Sequence, residues 1–293
     1  MQKRVHVVVN PISGRRRSRA GARAFLKRVD QSYSAVTTTE TKGSGDAALA
    51  AAAACSEEAD ALIVVGGDGT VREAASGMTG KGVPILIVPC GTENVVAKYL
   101  GLRIDGDLLL RVLTEGNRLE FDFGVCNHRK FLFVCGVGYD AEVVRVLAAK
   151  RTGHISYFTY VTPLLKSLIY YRPPRLRVKV DGRAVFEGMG QVILGNISRY
   201  AFGMKILSRA QPNDGLLDVC IFEYKRRIRL LWHAIRVVAN RHLPSKGVHY
   251  HQGRRIRVEC DESAPVELDG DVAGTTPIDI GLDTRRIAFL TPI

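Results

Sequence analysis

Residues 62–74 read LIVVGGDGTVREA, in which an apolar run ends in three glycines, one carboxylate and one hydroxyl. Glycine has no Cβ, so backbone N–H groups can approach the oxygens of a phosphate chain, and a helix that begins there adds partial positive charge. Asp68 would repel a phosphate group directly, but its carboxylate can hold Mg²⁺ or the water shell of Mg²⁺. The stretch therefore predicts a turn that binds a nucleotide polyphosphate together with its metal.

Three other predicted strands end in loops that also carry glycine, hydroxyl or amide residues. These loops are Asn10-Pro11-Ile12-Ser13-Gly14, Thr39-Glu40-Thr41-Lys42-Gly43 and Cys90-Gly91-Thr92-Glu93-Asn94. Ligands of open α/β sheets bind at the carboxyl ends of the parallel strands. Four such loops therefore predict one shared crevice, and a plain strand-to-helix connection at 66–70 is the weaker interpretation. The chain has neither the GxxxxGK[ST] sequence of P-loop enzymes nor GxGxxG after its first strand.

The elements that must position these loops alternate along the first part of the chain. Strands are predicted at 5–10, 34–39, 61–65 and 84–88. Helices are predicted at 19–29, 46–57, 70–78, 92–100 and 105–113, with Ser44 or Asp46 as the N-cap of the second. Short apolar strands that alternate with helices are typical of a parallel sheet covered on both faces. Residues 1–120 are therefore predicted to form a Rossmann-like α/β nucleotide domain.

The pattern changes after about residue 117, where short strands follow one another with few helices between them. Asp181-Gly182 separates two alternating runs and supplies the positive φ angles that a tight hairpin turn needs. Similar strands continue to the C-terminus. Residues 121–293 are therefore predicted to form an antiparallel β-sandwich domain with inserted helices.

Two segments interrupt this β pattern. Residues 154–171 are aromatic and mostly apolar, and we interpret them as a hypothetical cover over an acceptor. Residues 225–243 predict a basic amphipathic helix. Its apolar face carries Ile228, Leu231, Trp232, Ile235, Val238 and Ala239, and its polar face Arg226, Arg229, His233, Arg236 and Asn240. A surface helix packed on the core is favoured over membrane docking, although the basic face could also meet lipid headgroups.

The charge of the chain favours an anionic partner. Lysine and arginine number 42 against 29 aspartate and glutamate residues, which gives a net charge of +13. Nucleic acid, a phosphorylated ligand or an acidic membrane surface would suit that surplus. No helix-turn-helix or RNP-like segment occurs in the sequence, so a nucleic-acid partner is not expected.

The six cysteines show no CxxC spacing, and several lie inside apolar runs. Such cysteines are expected to be buried thiols in a reducing compartment rather than disulfides or zinc ligands. The sequence shows no signal peptide and no apolar run long enough to span a bilayer. The expected location is therefore cytoplasmic.

Six motifs occur in order along the whole chain. They are NPxSG at 10–14, GGDGT at 66–70 with Glu73, GTxN at 91–94, GxGxD at 136–140, NDGLLD at 213–218 and DGD at 269–271. The set resembles the diacylglycerol kinase catalytic-domain family, which includes bacterial diacylglycerol and lipid kinases and sphingosine kinases. The resemblance implies a nucleotide domain, a β-sandwich that binds the acceptor, and an active site between them. It also implies transfer of the γ-phosphoryl group of ATP to a lipid hydroxyl with Mg²⁺.

The resemblance assigns a role to individual residues of this chain. ATP would be held by Asn10, Ser13, Thr41, Gly66, Gly67, Asp68, Gly69, Thr70, Glu73, Gly91, Thr92 and Asn94. Asp68 would also act in catalysis by organising Mg²⁺. A second, more structural Mg²⁺ would bind Asp214 and the backbone carbonyls of Gln211 and Leu216. Asp269 or Asp271 would be the general base, whereas without the family a tight turn is the preferred interpretation of these residues.

Three positions depart from the family pattern. Arg72 replaces a usual Asn, Ala201-Phe202-Gly203 replaces a usual glycine triplet, and Asp271 replaces a usual Glu. Two alternatives therefore stay open, which are a kinase for a soluble acceptor such as NAD and a catalytically idle nucleotide or lipid sensor. The leading prediction is a lipid kinase that is peripheral at the inner face of an anionic membrane, with a homodimer as an open question.

Overall fold

A computed structural model of the chain describes residues 4–79, 82–149 and 171–293. The chain divides into two compact units, Met1–Phe121 with Thr284–Ile293, and Asp122–Asp283. The aromatic segment predicted to cover an acceptor lies, except for Tyr171, outside the described residues. Across the described ranges, none of the helices is long and apolar enough to cross a membrane.

The first unit is built on four parallel strands in the order β4-β3-β1-β2. The strands are β1 Arg4–Val9, β2 Ala35–Glu40, β3 Ala61–Gly66 and β4 Ile85–Pro89. Every residue of the two strands β3 and β4 is buried. Wholly apolar strands are expected where helices cover both faces of a sheet, so the predicted parallel α/β sheet is confirmed.

Five helices connect these strands or follow them. They are α1 Arg16–Ser32, α2 Asp46–Ser56, α3 Asp68–Gly77, α4 Val95–Tyr99 and α5 Gly106–Glu115. The predicted N-cap of α2 was wrong. Gly45 takes the cap position with a φ of 100°, and the Asp46 carboxylate instead accepts the N–H groups of Lys42 and Gly43. Glycine is favoured there because side chains disfavour that φ.

The second unit is largely antiparallel. Its strands are β5 Asn117–Cys126, which begins in the first unit, β6 Arg129–Phe131, β7 Val134–Val137, β8 Arg175–Val180, β9 Arg183–Gly195, β10 Leu217–Glu223, β11 Val248–Gly253, β12 Ile256–Cys260, β13 Pro265–Leu268, β14 Asp271–Thr275 and the first part of β15 Ile278–Thr291.

The long strand β9 takes part in two sheets of this unit. Its first half pairs with β8, and its second half pairs with β7 and β10. Val178, Leu194, Val219 and Val266 are among the side chains that form one buried core between the strands. The predicted β-sandwich is therefore confirmed, as is the hairpin turn at Asp181-Gly182, where both residues have positive φ.

The last strand returns the chain to the first unit. Residues Ile278 to Ile280 of β15 pair with β12, whereas Phe289 pairs in parallel with Ile85 of β4. The sequence indicated a strand here but not its partners, and residues 284–293 were assigned to the second domain. Their contacts lie with the first unit instead, because the fourteen-residue strand β15 crosses the division of the chain between Asp283 and Thr284.

The second unit also carries α6 Tyr139–Ala148, a 3₁₀ turn at Ala201–Gly203 and α7 Arg227–Val238. The amphipathic helix predicted at 225–243 is present as α7, but the face that it buries was predicted wrongly. Leu230, His233 and Val237 are buried, and the predicted apolar face is exposed. His233 accounts for part of this reversal, because its Nε2 lies 3.1 Å from the carbonyl oxygen of Glu223.

Candidate functional site

In the first unit, the loops that follow β1, β3 and β4 are joined by hydrogen bonds at the carboxyl edge of the sheet. The N–H of Asn10 donates to the carbonyl oxygen of Val65 at 2.9 Å, and the N–H of Cys90 donates to that of Gly66 at 2.8 Å. The Asn10 side chain donates from Nδ2 to Oγ1 of Thr70 at 3.0 Å. These bonds bring together three of the four loops that the sequence placed around one crevice, which are the loops after β1, β3 and β4.

These loops approach so closely that larger residues would clash. A Cβ on Gly91 would lie 2.6 Å from Cα of Gly67, and a Cβ on Gly67 would lie 3.1 Å from Cα of Gly91. Gly14 has a φ of 81°, and its Cβ would lie 2.1 Å from the carbonyl oxygen of Cys90. Real Cβ atoms do not come this near to backbone atoms, so the close approach of the three loops depends on glycine.

Asn94 gives the loop after β4 its shape. Its φ is 50°, in the left-handed region, and it precedes the first residue of α4. Its Oδ1 accepts the N–H of Gly91 and its Nδ2 donates to the carbonyl oxygen of Gly91, both at 2.8 Å. Thr92 lies between them with an exposed side chain. Asn94 thus acts on the loop itself, whereas Thr92 faces outward.

The loop after β2 joins the group through main-chain and side-chain contacts. The N–H of Thr41 donates to the carbonyl oxygen of Val9 at 2.9 Å. Glu73, on α3, accepts the N–H groups of Gly45 at 2.6 Å and Ala47 at 3.0 Å through Oε1. A carboxylate at the start of a helix accepts the free N–H groups of the first turn and interacts favourably with the helix dipole. Glu73 therefore caps α2.

Asp68 is the first residue of α3, and its carboxylate lies at the start of α4. Its Oδ1 accepts the N–H of Val96 at 3.3 Å. Burial raises the pKa of Asp68 and outweighs the N–H groups of Val95 and Val96 and the charge of Lys98, which lower it. A nearby cation stabilises the ionised form of a half-buried carboxylate, so the surroundings of Asp68 fit Mg²⁺.

Across the described residues, no three His, Cys, Asp or Glu side chains are grouped as a metal site. This does not conflict with a cation at Asp68. Mg²⁺ usually keeps several waters and binds one or two carboxylates together with the phosphates of a substrate.

In the second unit, Asp269 and Asp271 lie at one turn but have different surroundings. Asp269 and Gly270 join β13 to β14 and both have positive φ. The carboxylate of Asp269 accepts three backbone N–H groups, from Leu132 at 2.6 Å, Phe133 at 2.9 Å and Val134 at 3.0 Å. Three such bonds to a buried carboxylate anchor the turn to the segment before β7.

Asp271 begins β14 and pairs with Leu268 across the turn. Its side chain is partly exposed, whereas the side chain of Asp269 is buried. The sequence left open which of the two aspartates is the general base. In the structure the two residues differ in burial and in the hydrogen bonds that they accept.

A carboxyl pair beside this turn was not predicted. Asp140, on the first turn of α6, accepts the hydroxyl of Tyr200 at 2.5 Å through Oδ1. Glu267, on β13, accepts the N–H of Gly270 at 2.7 Å through Oε2. The remaining oxygens, Oδ2 of Asp140 and Oε1 of Glu267, are buried and receive no donor from another side chain or backbone group in the described part of the chain.

The two carboxyl groups affect each other's protonation. Burial raises the pKa of Asp140, and burial together with Asp140 raises the pKa of Glu267 well above its ordinary value. Ionisation of one of these buried carboxyl groups disfavours ionisation of the other, because like charges repel in a site that water does not screen. Burial also raises the pKa of Tyr200, which keeps its hydroxyl as a donor.

Sequence signals for this pair were present. Asp140 ends the GxGxD motif, and Glu267 is an acidic residue inside the apolar strand PVEL. A Cβ on Gly136 would lie 2.4 Å from Oδ2 of Asp140 and 2.9 Å from Oε1 of Glu267. The first glycine of the motif therefore makes room for the two carboxyl groups.

The loop of the predicted second metal site closes on Asp122. The N–H of Gly215 donates to Oδ2 of Asp122 at 2.7 Å, and the N–H of Asp122 donates to the carbonyl oxygen of Pro212 at 2.6 Å. Asp214 and Gln211 are exposed, and Oδ1 of Asp214 accepts the N–H of Leu216. Carboxylate and carbonyl oxygens suit Mg²⁺. Asp122, which was not predicted from the sequence, adds a carboxylate to this loop.

Two family models match the chain in succession. The diacylglycerol kinase catalytic domain matches residues 4–126. The YegS C-terminal NAD kinase beta sandwich-like domain matches residues 134–290, which is more than half of the chain. The two matches follow the α/β sheet and the β-sandwich of the structure.

Relatives and solved structures match over nearly the whole length. A diacylglycerol kinase of Bacillus subtilis (strain 168) is 28% identical over 99% of this chain and 97% of its own. A diacylglycerol kinase of Staphylococcus carnosus (strain TM300) is 27% identical over 100% of this chain and 96% of its own. The crystal structure of a candidate diacylglycerol kinase from Bacillus anthracis str. Sterne has a TM-score of 0.81 at 20% identity, covering 99% of this chain and 97% of that one, which shows the shared fold.

Proposed function

Because the chain belongs to the diacylglycerol kinase catalytic-domain family, it is an enzyme, a lipid kinase, and we propose that it transfers the γ-phosphoryl group of ATP to a lipid hydroxyl. The observation that carries this proposal is the joining of four glycine- and hydroxyl-containing loops at one edge of the first unit, beside the half-buried Asp68. Phosphoryl transfer needs mainly positioning and charge neutralisation, and such an edge offers both.

The first unit would bind ATP through its loops. Backbone N–H groups of the Gly66–Thr70 turn and the N-terminus of α3 would hold the phosphates. Asp68 would hold Mg²⁺, which when bound neutralises the charge of the phosphates. Asn10 and Glu73 would keep the loops in register through their bonds to Thr70 and to the start of α2.

The second unit would supply the general base, and we assign that role to Asp271. A base must accept the proton of the acceptor hydroxyl as the phosphoryl group is transferred. The oxygens of Asp269 already accept three N–H groups, and such bonds favour the ionised form and weaken it as a base. Asp269 would then fix the turn, and the partly exposed Asp271 would accept the proton.

The protonated pair of Asp140 and Glu267 would position this base. Glu267 binds the N–H of Gly270, the residue between the two aspartates, through Oε2. A proton shared with Asp140 would keep negative charge low beside Asp271. The role of the pair would therefore be to hold the turn and to limit repulsion of the anionic phosphates.

The proposed acceptor is diacylglycerol, because the curated relatives carry that name, with sphingosine or a related lipid as other members of the same class. A lipid acceptor lies in a bilayer. The enzyme would then work from the cytoplasm as a peripheral protein at the inner face of an anionic membrane.

An acceptor panel tests this proposal. ATP consumption would be measured with diacylglycerol, sphingosine, ceramide, phosphatidylglycerol and NAD, with Mg²⁺ present or chelated, and with the Asp68→Ala variant as control. We expect Mg²⁺-dependent turnover on a lipid hydroxyl that Asp68→Ala abolishes. Turnover only on NAD would identify a kinase for a soluble acceptor, and ATP binding without turnover on any acceptor would identify a sensor.

A further inference from the structure

The helix α7 presents a continuous apolar stripe at the surface of the second unit. The exposed fractions are 70% for Ile228, 45% for Leu231, 54% for Trp232, 52% for Ile235 and 74% for Val238. Residues spaced by three, four and seven positions lie on one side of a helix. The five side chains therefore form one ridge rather than five scattered exposures.

The opposite side of α7 fixes the helix with this ridge outward. Leu230 and Val237 are buried, and the ring of His233 lies 5.5 Å from that of Phe222. Arg229 donates from Nη2 to the carbonyl oxygen of Lys246 at 3.0 Å, which ties the helix to the chain that follows it. A rotation that buried the ridge would break these contacts.

Positive charge surrounds the ridge. From residue 225 to residue 246 the chain has no aspartate or glutamate, and its basic residues are Lys225, Arg226, Arg227, Arg229, Arg236, Arg241 and Lys246. A groove of about 550 Å³ beside the helix is lined by Ile228, Trp232, Arg229 and Lys246, among others. Such a lining combines cations that attract phosphate with carbon surface that favours lipid.

Trp232 has the surroundings of an interfacial anchor. The guanidinium of Arg236 lies over its ring, 5.8 Å from the centroid. Tryptophan is enriched at membrane–water interfaces, where its ring meets both apolar and polar surroundings. A basic amphipathic helix with large apolar side chains on one face is typical of segments that lie in the plane of a bilayer surface.

We infer that α7 docks the enzyme on an anionic membrane, with the ridge at the boundary between the headgroups and the acyl chains and the basic residues on headgroup phosphates. The inference rests on the proposed function, because it names the surface through which a lipid kinase meets the membrane that holds its acceptor. It also reverses the sequence-based interpretation, in which the apolar face packed on the core.

Two other occupants suit this surface less well. A second copy of the chain, related by a two-fold axis, would bring two sets of basic residues together without acidic residues to pair with them. A nucleic acid would use the basic residues but would leave five large apolar side chains against a phosphate backbone. An anionic bilayer uses both features.

The test is sedimentation with vesicles of phosphatidylcholine alone or mixed about equally with phosphatidylglycerol. The variant Trp232→Gln/Ile235→Gln removes the centre of the ridge and keeps residues that favour helix. Leu49→Gln is the matched control, since Leu49 is an apolar residue on α2 with 71% exposure. A second variant, Arg226→Gln/Arg227→Gln, lowers only the charge.

We expect wild type and Leu49→Gln to bind the anionic vesicles and not the neutral ones. The ridge variant should lose about tenfold or more of that binding, and the charge variant should lose binding chiefly at low salt. Turnover of a short-chain diacylglycerol in detergent micelles should be unchanged in both variants, and circular dichroism should show an intact helix.

Equal vesicle binding by wild type and the ridge variant would overturn the inference. So would a wild-type dimer that the ridge variant converts to a monomer without any change in vesicle binding. Absence of turnover in micelles, with vesicle binding intact, would count against the proposed function and leave the docking surface in place.

Discussion

Two regions of the molecule are held together by different physical means. One is the loop edge of the first unit, formed by the loops that follow β1, β2, β3 and β4. The other is the aspartate turn of the second unit, residues 269–271. At the loop edge, main-chain groups from four loops bond to one another, and glycines such as Gly67 and Gly91 allow their close approach. At the aspartate turn, the carboxyl groups of Asp269 and Glu267 both accept backbone N–H donors. Glu267 is buried, and the nearby carboxyl group of Asp140 raises its pKa further.

This difference predicts different weaknesses. The loop edge should be sensitive to added volume, because a single methyl group would meet backbone atoms. The aspartate turn should be sensitive to the removal of an acceptor and to pH, because its carboxyl groups are buried.

Asp271→Asn and Asp269→Asn should separate chemistry from structure within one turn. Asp271→Asn should lower kcat by about 10²- to 10⁴-fold, the usual contribution of a general base, with little change in the free energy of unfolding. Asp269→Asn should cost about 1–3 kcal/mol of stability, because one oxygen that accepts N–H groups becomes an amide donor. Steady-state kinetics and urea denaturation of both variants measure the two effects. A stable, slow Asp269→Asn beside an active Asp271→Asn would reverse the assignment.

Gly91→Ala should damage the loop edge through its added methyl group. The new Cβ would lie 2.6 Å from Cα of Gly67, and relieving such a contact costs about 1–3 kcal/mol. Gly69→Ala is the matched control for folding, because nothing lies within 4 Å of its Cβ position. Urea denaturation should show a loss for Gly91→Ala and none for Gly69→Ala. Equal stability of the two variants would mean that the loops are not close-packed.

Glu267→Gln should change how stability depends on pH. Because the pKa of Glu267 is raised in the folded protein, the folded state binds more protons than the unfolded state above the ordinary pKa of 4.5. Stability from this residue is therefore present at low pH and falls as pH rises through the folded pKa. Glu267→Gln should flatten that fall above pH 4.5, in urea denaturation at several pH values.

Glu262→Gln provides the control for this experiment, since Glu262 is an exposed glutamate of the same unit. Its pH profile should follow the wild type. Parallel profiles of Glu267→Gln and wild type would show that the carboxyl pair does not hold a proton in the folded state.

The same contrast explains what the sequence could predict. The parallel sheet and the loop edge could be predicted because glycines, hydroxyls and Asp68 stand directly after apolar strands, and strand direction alone places them at one edge. The carboxyl pair could not, because Asp140, Tyr200 and Glu267 come from distant segments that only the folded sandwich brings together. Asp122 was missed for the same reason.

Helix α7 marks another limit of sequence patterns. The periodicity of Ile228, Leu231, Trp232 and Ile235 identified the helix and its stripe correctly. It could not tell which face the protein covers, because the buried contact of His233 with Glu223 depends on tertiary packing. The roles of Glu73 and Asn94 in shaping loops were likewise visible only from their hydrogen bonds.

The most direct test of the proposed lipid kinase activity follows the phosphorus atom of the γ-phosphoryl group. The enzyme would be incubated with Mg²⁺, diacylglycerol in mixed micelles and ATP labelled in its γ-phosphoryl group, and the lipid would then be extracted into organic solvent. We expect label in the extracted lipid with wild type, and none above background with Asp68→Asn or after chelation of Mg²⁺. Label that remains in the aqueous phase for every lipid hydroxyl supplied, while ATP still binds, would contradict it.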